Sequence, residues 1–474
     1  MSSELSTVVV LKNFRLVDAE TDTNGALVIE NGIITSVFDE VPPEKKSAIV
    51  IDGSRLASGG RLPVLMPAFV DLHAHFRDPC CSHSAASVPS VASQPLSEVV
   101  ESASLSAVAG GFTTVVCMAN TKPVTDSIKR AAAVKSRSDT LGFIDLYPVI
   151  SLTKGMEGKE LSEITELPSK ARGTNTANYI PLLLSEDGKD ITCDDVFLTA
   201  MKEAKRSGIP ISCHCDFGGQ EADAAKAAGQ SRSVYSRIEE NNAVRRVIEL
   251  GKKACCHIHI AHVSTKEAVE VIRQAKGELR NGNSGDGFAL SCEVMPHNLC
   301  LTESDAEKLG EETWGRVNPP LRLDEDRKAL IGALADGTID AIATDHAPHS
   351  NAGKEAGAPG FSAFETAFAA AFSQLVFKSF NNPRFSPAVD PPIDLKRLSS
   401  LMSANPARLI GLQDRGLLRA GLKADLVIVD TESSQIVEPR TFKSRGKNSP
   451  FSGHELFGKI LMTIRGGRIV FSAN

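Results

Sequence analysis

Two kinds of hydrophobic patterning divide the chain. From 6 to 66, short apolar stretches alternate with polar turns. In GALVIENGIITSVF, Asn31-Gly32 separates two β-branched runs, the pair a tight hairpin turn favours. From 66 to about 410, near-continuous apolar runs recur: 64–75, 113–120, 143–152, 179–187, 210–215, 256–263, 288–296 and 340–348. Ala/Leu/Glu/Lys-rich segments lie between them, and STKEAVEVIRQAKG places Ala268, Val271, Ile272 and Ala275 at helical spacing. Strands apolar on both faces and alternating with helices predict a parallel sheet covered on both sides. Eight such units predict an α/β chain with a (β/α)8 TIM barrel over 67–411. After 412 the alternating pattern returns in ADLVIVD (424–430) and GKILMTIRGGRIVFSA (458–473), with Gly466-Gly467 as a turn. The segments 1–66 and 412–474 are therefore expected to pair as a small β-sandwich domain. The stretches 80–97, 281–287 and 378–394, rich in Ser, Pro, Asn and Gly, read as loop insertions.

Composition narrows the function classes. The 474 residues include 52 basic and 58 acidic side chains, a net charge of −6, which offers no electrostatic footprint for nucleic acid or an anionic membrane. No apolar run approaches the roughly 18 residues of a membrane span. The start, MSSELSTVVVLKNFRL, lacks the basic region and apolar stretch of a signal peptide. The ten cysteines contain no CxxC and mostly sit in apolar runs, which reads as buried thiols in a cytoplasmic protein.

The candidate chemistry lies where the apolar runs end. His73-Ala74-His75 closes the first run, and residues two apart on a strand share a face. The fourth run ends in Glu186-Asp187-Gly188, the fifth at His214, the sixth at His262, and the eighth in Asp345-His346-Ala347-Pro348-His349. In a barrel these ends converge on one rim, and imidazoles with carboxylates there make a ligand set for a borderline divalent metal. Strand parity leaves two choices open: Glu186 against Asp187, and His259 against His262. His83, His257, His297 and His454 read as ordinary polar or partly buried histidines. Alternation turns Cys213 and Cys215 away when His214 faces in. No Walker loop, GxGxxG, GxSxG elbow or HExxH helix is present. A carboxylate–histidine rim favours metal-assisted hydrolysis.

Several motifs occur together and in order: VDLHAHFRD (70–78), AGGFTTVVCMANTKP (109–123), LLLSEDGKD, ISCHCD (211–216), HIAHVSTKEA (259–268), SCEVMPHNLCLT (291–302), GRVNPPLR (315–322), ATDHAPH (343–349) and GLLRAGLKADLVIVD (416–430). In this the chain resembles the amidohydrolase superfamily and, within it, the type I dihydroorotases of bacteria. The resemblance implies one or two Zn2+ ions, with two favoured. His73, His75 and Asp345 match the ligands of one, His214 and His262 those of the second. Asp187 matches a bridging aspartate, so no carboxylated lysine is expected. Arg77, Asn120 and His349 match groups that hold the substrate carboxylate, and Asn318, Pro359 and Gly360 positions that touch the dihydropyrimidine ring. The implied reaction is the reversible closure of carbamoyl-aspartate to dihydroorotate in pyrimidine biosynthesis, with Asp345 as proton shuttle.

The chain departs from that pattern at Cys80-Cys81 and the insertion that follows, at Ala119 before Asn120, and at Glu186 before Asp187. Two alternatives stand beside the resemblance. One is a hydantoinase, dihydropyrimidinase or allantoinase, against which the Arg77/Asn120/His349 set argues. The other is a silent scaffold of aspartate transcarbamoylase, against which the complete ligand set argues. The resemblance leaves open homodimerisation and association with an aspartate transcarbamoylase.

Overall fold

The computed structural model describes residues 8–39, 48–57, 59–77, 98–170, 179–216, 219–282, 287–377 and 391–473. The 80–97 insertion, with Cys80, Cys81 and His83, lies outside them, as do 283–286 and 378–390.

The two chain ends build one sheet. Its strands are β1 (Val8–Val17), β2 (Asp22–Glu30), β3 (Ile33–Phe38), β4 (Ile49–Asp52) and β5 (Val64–Pro67) from the first segment. The barrel strands, β6 to β13, come next in the chain. The sheet is completed by β14 (Leu426–Ile436), β15 (Glu455–Arg465) and β16 (Arg468–Ser472). Hydrogen bonds run in the order β16-β15-β14-β5-β1-β2-β3, with β4 also paired to β1. The terminal domain is thus a single eight-stranded bonded sheet, with an apolar cluster of its own around Leu11, Phe14, Leu16, Leu27, Leu426 and Ile428. Both expected turns form with positive φ: 52° and 80° at Asn31-Gly32, 53° and 75° at Gly466-Gly467. That backbone matches the twist of a two-residue hairpin.

Period-two alternation in β14 joins this domain to the barrel. Leu426 and Ile428 enter the sheet's own cluster, while Val427 and Val429 enter the barrel core. All four are fully buried. Burying each such side chain is worth about 1.5–3 kcal/mol.

The barrel strands are β6 (Phe69–Ala74), β7 (Phe112–Cys117), β8 (Asp145–Pro148), β9 (Leu184–Ser185), β10 (Ile211–Cys213), β11 (His257–Ile260), β12 (Ala289–Val294) and β13 (Ala341–Ile342). Parallel pairing gives two arcs, β6-β7-β8 and β9-β10-β11-β12-β13. Parallel bridges Ile150↔Leu184 and Ala74↔His346 connect the arcs at both edges, which closes the ring. Buried Asp71 reinforces the second junction, accepting from Thr344 N at 2.8 Å and Thr344 Oγ1 at 2.7 Å. Burial pushes the Asp71 carboxyl up to about 7.

Two details differ from the hydrophobic pattern. The run 64–75 is not one strand. It is split at Ala68, whose N–H goes to Asp425 O in the terminal sheet, while Phe69 N–H goes to Gly111 O in the barrel. The run 179–187 gives only a two-residue strand, and Pro181 near its start has no N–H for a ladder. The helix at Lys266–Arg280 forms as the periodicity predicts, with Thr265 capping its start through Ala268 N.

The base of the barrel meets the terminal sheet through buried charges. Arg415 donates to Asp145 Oδ2 at 2.8 Å and Thr114 Oγ1 at 2.6 Å, and lies 3.5 Å from Asp425 Oδ2. Arg465 binds the other Asp145 oxygen. Burial pushes the Asp145 carboxyl up, but Arg415 and Arg465 outweigh it and hold it below its ordinary value. A depressed carboxyl contributes stability that is present above its unfolded pKa of about 4 and lost as pH falls through the folded value. Arg415→Met is expected to cost about 3 kcal/mol in urea unfolding at neutral pH, because it strands buried carboxylates. Asp145→Asn is expected to flatten the loss of stability below about pH 4. Unchanged urea midpoints and an unchanged acid limb would show that the cluster is energetically idle.

Candidate metal and active site

The strand ends bring the predicted residues together at one rim. His73 lies on β6 and His75 just beyond it. Asp187, His214 and His262 follow β9, β10 and β11, and Asp345 follows β13. All six are buried. Three rim residues leave their strands in the left-handed region: His262 at φ 33°, Asp345 at 45° and Arg77 at 57°. Non-glycine residues there carry strain, and such strain gathers at functional sites. It also breaks strand parity, so His262 reaches the site although it is out of phase with His259.

Each of three histidines gives one ring nitrogen to an outer acceptor. His73 Nδ1 donates to Glu293 Oε1 at 3.0 Å, His75 Nδ1 to Asn120 Oδ1 at 2.9 Å and His214 Nε2 to Asp216 Oδ2 at 3.1 Å. An imidazole fixed in this way keeps the lone pair of its other nitrogen free for a metal. Those other nitrogens turn inward. Asp187 lies 3.2 Å from His73 Nε2, 3.5 Å from His75 Nε2, 3.3 Å from His214 Nδ1 and 3.7 Å from His262 Nε2. Asp345 Oδ1 is 3.0 Å from His75 Nε2 and 3.8 Å from His73 Nε2. His214 Nδ1 and His262 Nε2 converge to 2.7 Å. His73 Nε2 and Asp187 Oδ1 are buried and make no hydrogen bond despite their 3.2 Å approach. Two groups, His73–His75–Asp345 and His73–Asp187–His262, each hold their ligand atoms within 4.8 Å of one another. Buried imidazole and carboxylate ligand atoms converging on a common point, with His73 Nε2 and Asp187 Oδ1 left unpaired, fit a divalent metal.

The electrostatics follow from this packing. Burial pushes the Asp345 carboxyl up, but the His75 bond and the neighbouring His73 overcome it and hold it well below its ordinary value. Asp187 is likewise held low against burial by His73, His214 and His262. Both acids are therefore ionised at neutral pH.

Geometry decides the two choices that parity left open. Glu186 turns away: its carboxylate accepts from Thr153 N at 3.1 Å and from Thr153 Oγ1. Asp187 turns in, aided by Gly188 at φ 90°, where an added Cβ would come to 3.1 Å from Asn120 Nδ2. His262 lies at the acids, whereas His259 lies deeper in the barrel, 3.1 Å from Glu293 Oε2. Cys213 and Cys215 are buried thiols whose Sγ atoms contact backbone carbonyls, as alternation predicts. His257 shares Ser291 Oγ with His259. His346 is structural, accepting at Nδ1 from Ala363 N at 3.1 Å and Phe364 N at 3.3 Å.

The remaining candidates sit at the mouth. Arg77 is half-buried, its Nε lacks a partner, and the nearest acids acting on it are Asp345 and Asp187. Asn120 is engaged by His75, and its Nδ2 lies 3.5 Å from Asp187 Oδ2. His349 Nε2 donates to Pro359 O at 2.8 Å, beside Gly360. Asn318 is exposed on the neighbouring loop and accepts from Arg232.

Glu293 escaped the sequence reading, which weighed His259 only as the alternative to His262. Glu293 is fully buried on β12, between His73 and His259. Burial pushes its carboxyl up, but those two imidazoles hold it at about 2. A charged residue inside the apolar run FALSCEV was the visible signal.

Comparison with known proteins agrees with this architecture. The amidohydrolase family model matches residues 64–470. The chain belongs to the amidohydrolase family. Within it, the chain is similar to the protein named dihydroorotase in Clostridium botulinum (strain Eklund 17B / Type B), at 34% identity over 98% of this chain and 99% of that one. It is also similar to the dihydroorotase of Anaeromyxobacter dehalogenans (strain 2CP-1), at 34% identity and 98% coverage of both. Such full-length relatives place it among the dihydroorotases of that family. Among solved structures, the L-hydantoinase (dihydropyrimidinase) of Arthrobacter aurescens shares the fold with a TM-score of 0.76, at 24% identity and covering 99% and 96% of the two chains.

Asp187→Ala is expected to strip metal from the purified protein, because it removes the acid nearest four imidazoles. Glu186→Gln should keep it. Metal analysis after gel filtration decides, and loss of metal from Glu186→Gln alone would reverse the assignment.

Proposed function

We propose that the chain catalyses the reversible, zinc-dependent interconversion of carbamoyl-aspartate and dihydroorotate. The observation that carries this reading is Arg77, a cation at the mouth of the acid–histidine cluster with an unpartnered Nε. A neutral ring has no need of it, whereas a ring bearing a carboxylate does. The full-length dihydroorotase relatives support the same substrate class.

His73, His75 and Asp345 would hold one zinc, and His214 and His262 a second, with Asp187 shared between them. Zinc bound there supplies a Lewis acid for the ring carbonyl and a water acidic enough to ionise near pH 7, by a drop to about 7. Glu293, Asn120 and Asp216 hold the imidazoles in the tautomers that ligation needs. Asp345 Oδ1 takes the proton from the attacking water and returns it to the leaving ring nitrogen. Arg77 grips the substrate carboxylate in a fork that lysine cannot copy, helped by Asn120 and His349. Asn318 and the Pro359–Gly360 backbone contact the ring. All eight described cysteines are free, which suits a reducing, cytoplasmic setting.

The test is hydrolysis of dihydroorotate with and without chelator, alongside hydantoin and allantoin. Turnover of dihydroorotate that chelator abolishes and zinc restores is expected. A preference for hydantoin would install the hydantoinase reading instead. Arg77→Lys is expected to lower kcat/KM on dihydroorotate about ten- to a hundredfold, the worth of a lost charge-assisted bond. Asp345→Asn should collapse kcat, since an amide cannot take the proton. Wild-type kcat in that variant would move the shuttle to another group.

A further inference from the structure

Lys354 belongs to none of the machinery above, yet its side chain is fully buried. It sits on the short helix Asn351–Glu355, beyond the Asp345–His349 strand end. Its Nζ donates to Arg316 O at 2.8 Å, Ala358 O at 2.9 Å and Gly360 O at 3.1 Å. An ammonium has three N–H donors, so these carbonyls account for its capacity. The ionisable neighbours acting on it are Arg316 and Arg232, both cations, and with burial they bring its ammonium down to about 8. A buried charge in such company is costly unless it is hydrogen-bonded, and these three carbonyls supply the bonds.

What they hold is a pair of loops. Arg316 O precedes Val317-Asn318, and Ala358 O and Gly360 O flank Pro359. Gly360 N also donates to Arg316 O at 3.0 Å, so that carbonyl accepts from both the ammonium and the Pro359–Gly360 loop. Gly360 leaves no slack. It has φ 129°, and a Cβ there would come within 2.5 Å of the Ala347 Cβ and 2.7 Å of Ala347 O. Phe361, next in the chain, lies between the Lys354 ammonium, 5.2 Å from its centroid, and the His297 ring at 5.3 Å.

We propose that Lys354 is a positioning residue for substrate-ring recognition: one buried ammonium sets the spacing between the loop carrying Asn318 and the loop carrying Pro359–Gly360. The proposal rests on the reading that these loops contact the ring. It makes Lys354 a determinant of ring affinity rather than of metal binding or proton transfer.

Lys354→Met keeps the length and apolar bulk but removes all three donors. It is expected to raise KM about tenfold on dihydroorotate, with kcat within a few-fold of wild type and zinc content unchanged. Lys354→Gln keeps two N–H donors and should give a smaller rise, and it serves as the probe if the methionine variant does not fold. An unchanged KM in the folded variants overturns the proposal. So does a loss confined to kcat, zinc content or melting temperature, which marks a merely structural lysine. Wild-type protein assayed in parallel separates the two readings. If wild type turns over hydantoin but not dihydroorotate, the substrate assignment has failed, and the KM ratio on hydantoin still decides the role of Lys354. Wild type inert on both rings overturns both.

Discussion

One buried carboxylate organises this molecule. Asp187 lies within 3.7 Å of ring nitrogens from four histidines that come from three separate strand ends. Ionised and out of water, it would be expensive to bury alone. A cation shared with the imidazoles would offset that cost, which requires the ends of β6, β10 and β11 to converge around the carboxylate, and convergence of strand ends is what a closed parallel barrel provides. The bridges Ile150↔Leu184 and Ala74↔His346 are therefore part of the site's electrostatics as much as of the fold. Asp71 and Thr344 secure the second of them directly beneath Asp345.

Outside the acid–histidine cluster lies a layer of acceptors, Glu293, Asn120 and Asp216, that choose the tautomers of His73, His75 and His214. They come from three different places around the ring, Glu293 on β12, Asn120 after β7 and Asp216 after β10, so the orientation of the imidazoles is set by the barrel as a whole. The chain also places Lys354 among the backbone carbonyls of Arg316, Ala358 and Gly360. There a cation, not an anion, does the fixing. The two devices act on different objects: the acceptors aim side chains, the ammonium spaces loops.

Much of this was legible in the sequence because its periodicities are strong. The eight apolar runs, the turn pairs Asn31-Gly32 and Gly466-Gly467, and the polar residues at the run ends all follow from local pattern. The split at Ala68 was not legible, since a strand of the terminal sheet and a barrel strand are both apolar and only one residue separates them. Glu186 and Asp187 could not be told apart by parity, because Gly188 and the strand end turn the backbone there. His262 defeated parity for the same reason, through its positive φ. Glu293 was visible as a charge in an apolar run, but its partners His73 and His259 arrive from elsewhere in the chain, and no local pattern names them.

The sheet made from both chain ends has a consequence for biosynthesis. Strand β5 pairs with β14, Val64 with Val429 and Pro67 with Leu426. Roughly 360 residues separate these partners, and a ribosome adding about 5–20 residues per second needs about 20–70 s to make them. Throughout that interval β1 to β5 exist without the strand that completes their apolar cluster, and β5 presents an open edge. The whole barrel lies between the two halves in the chain. The terminal sheet is thus completed only after the barrel strands have been made, and the open β5 edge is a surface in need of shielding while synthesis proceeds.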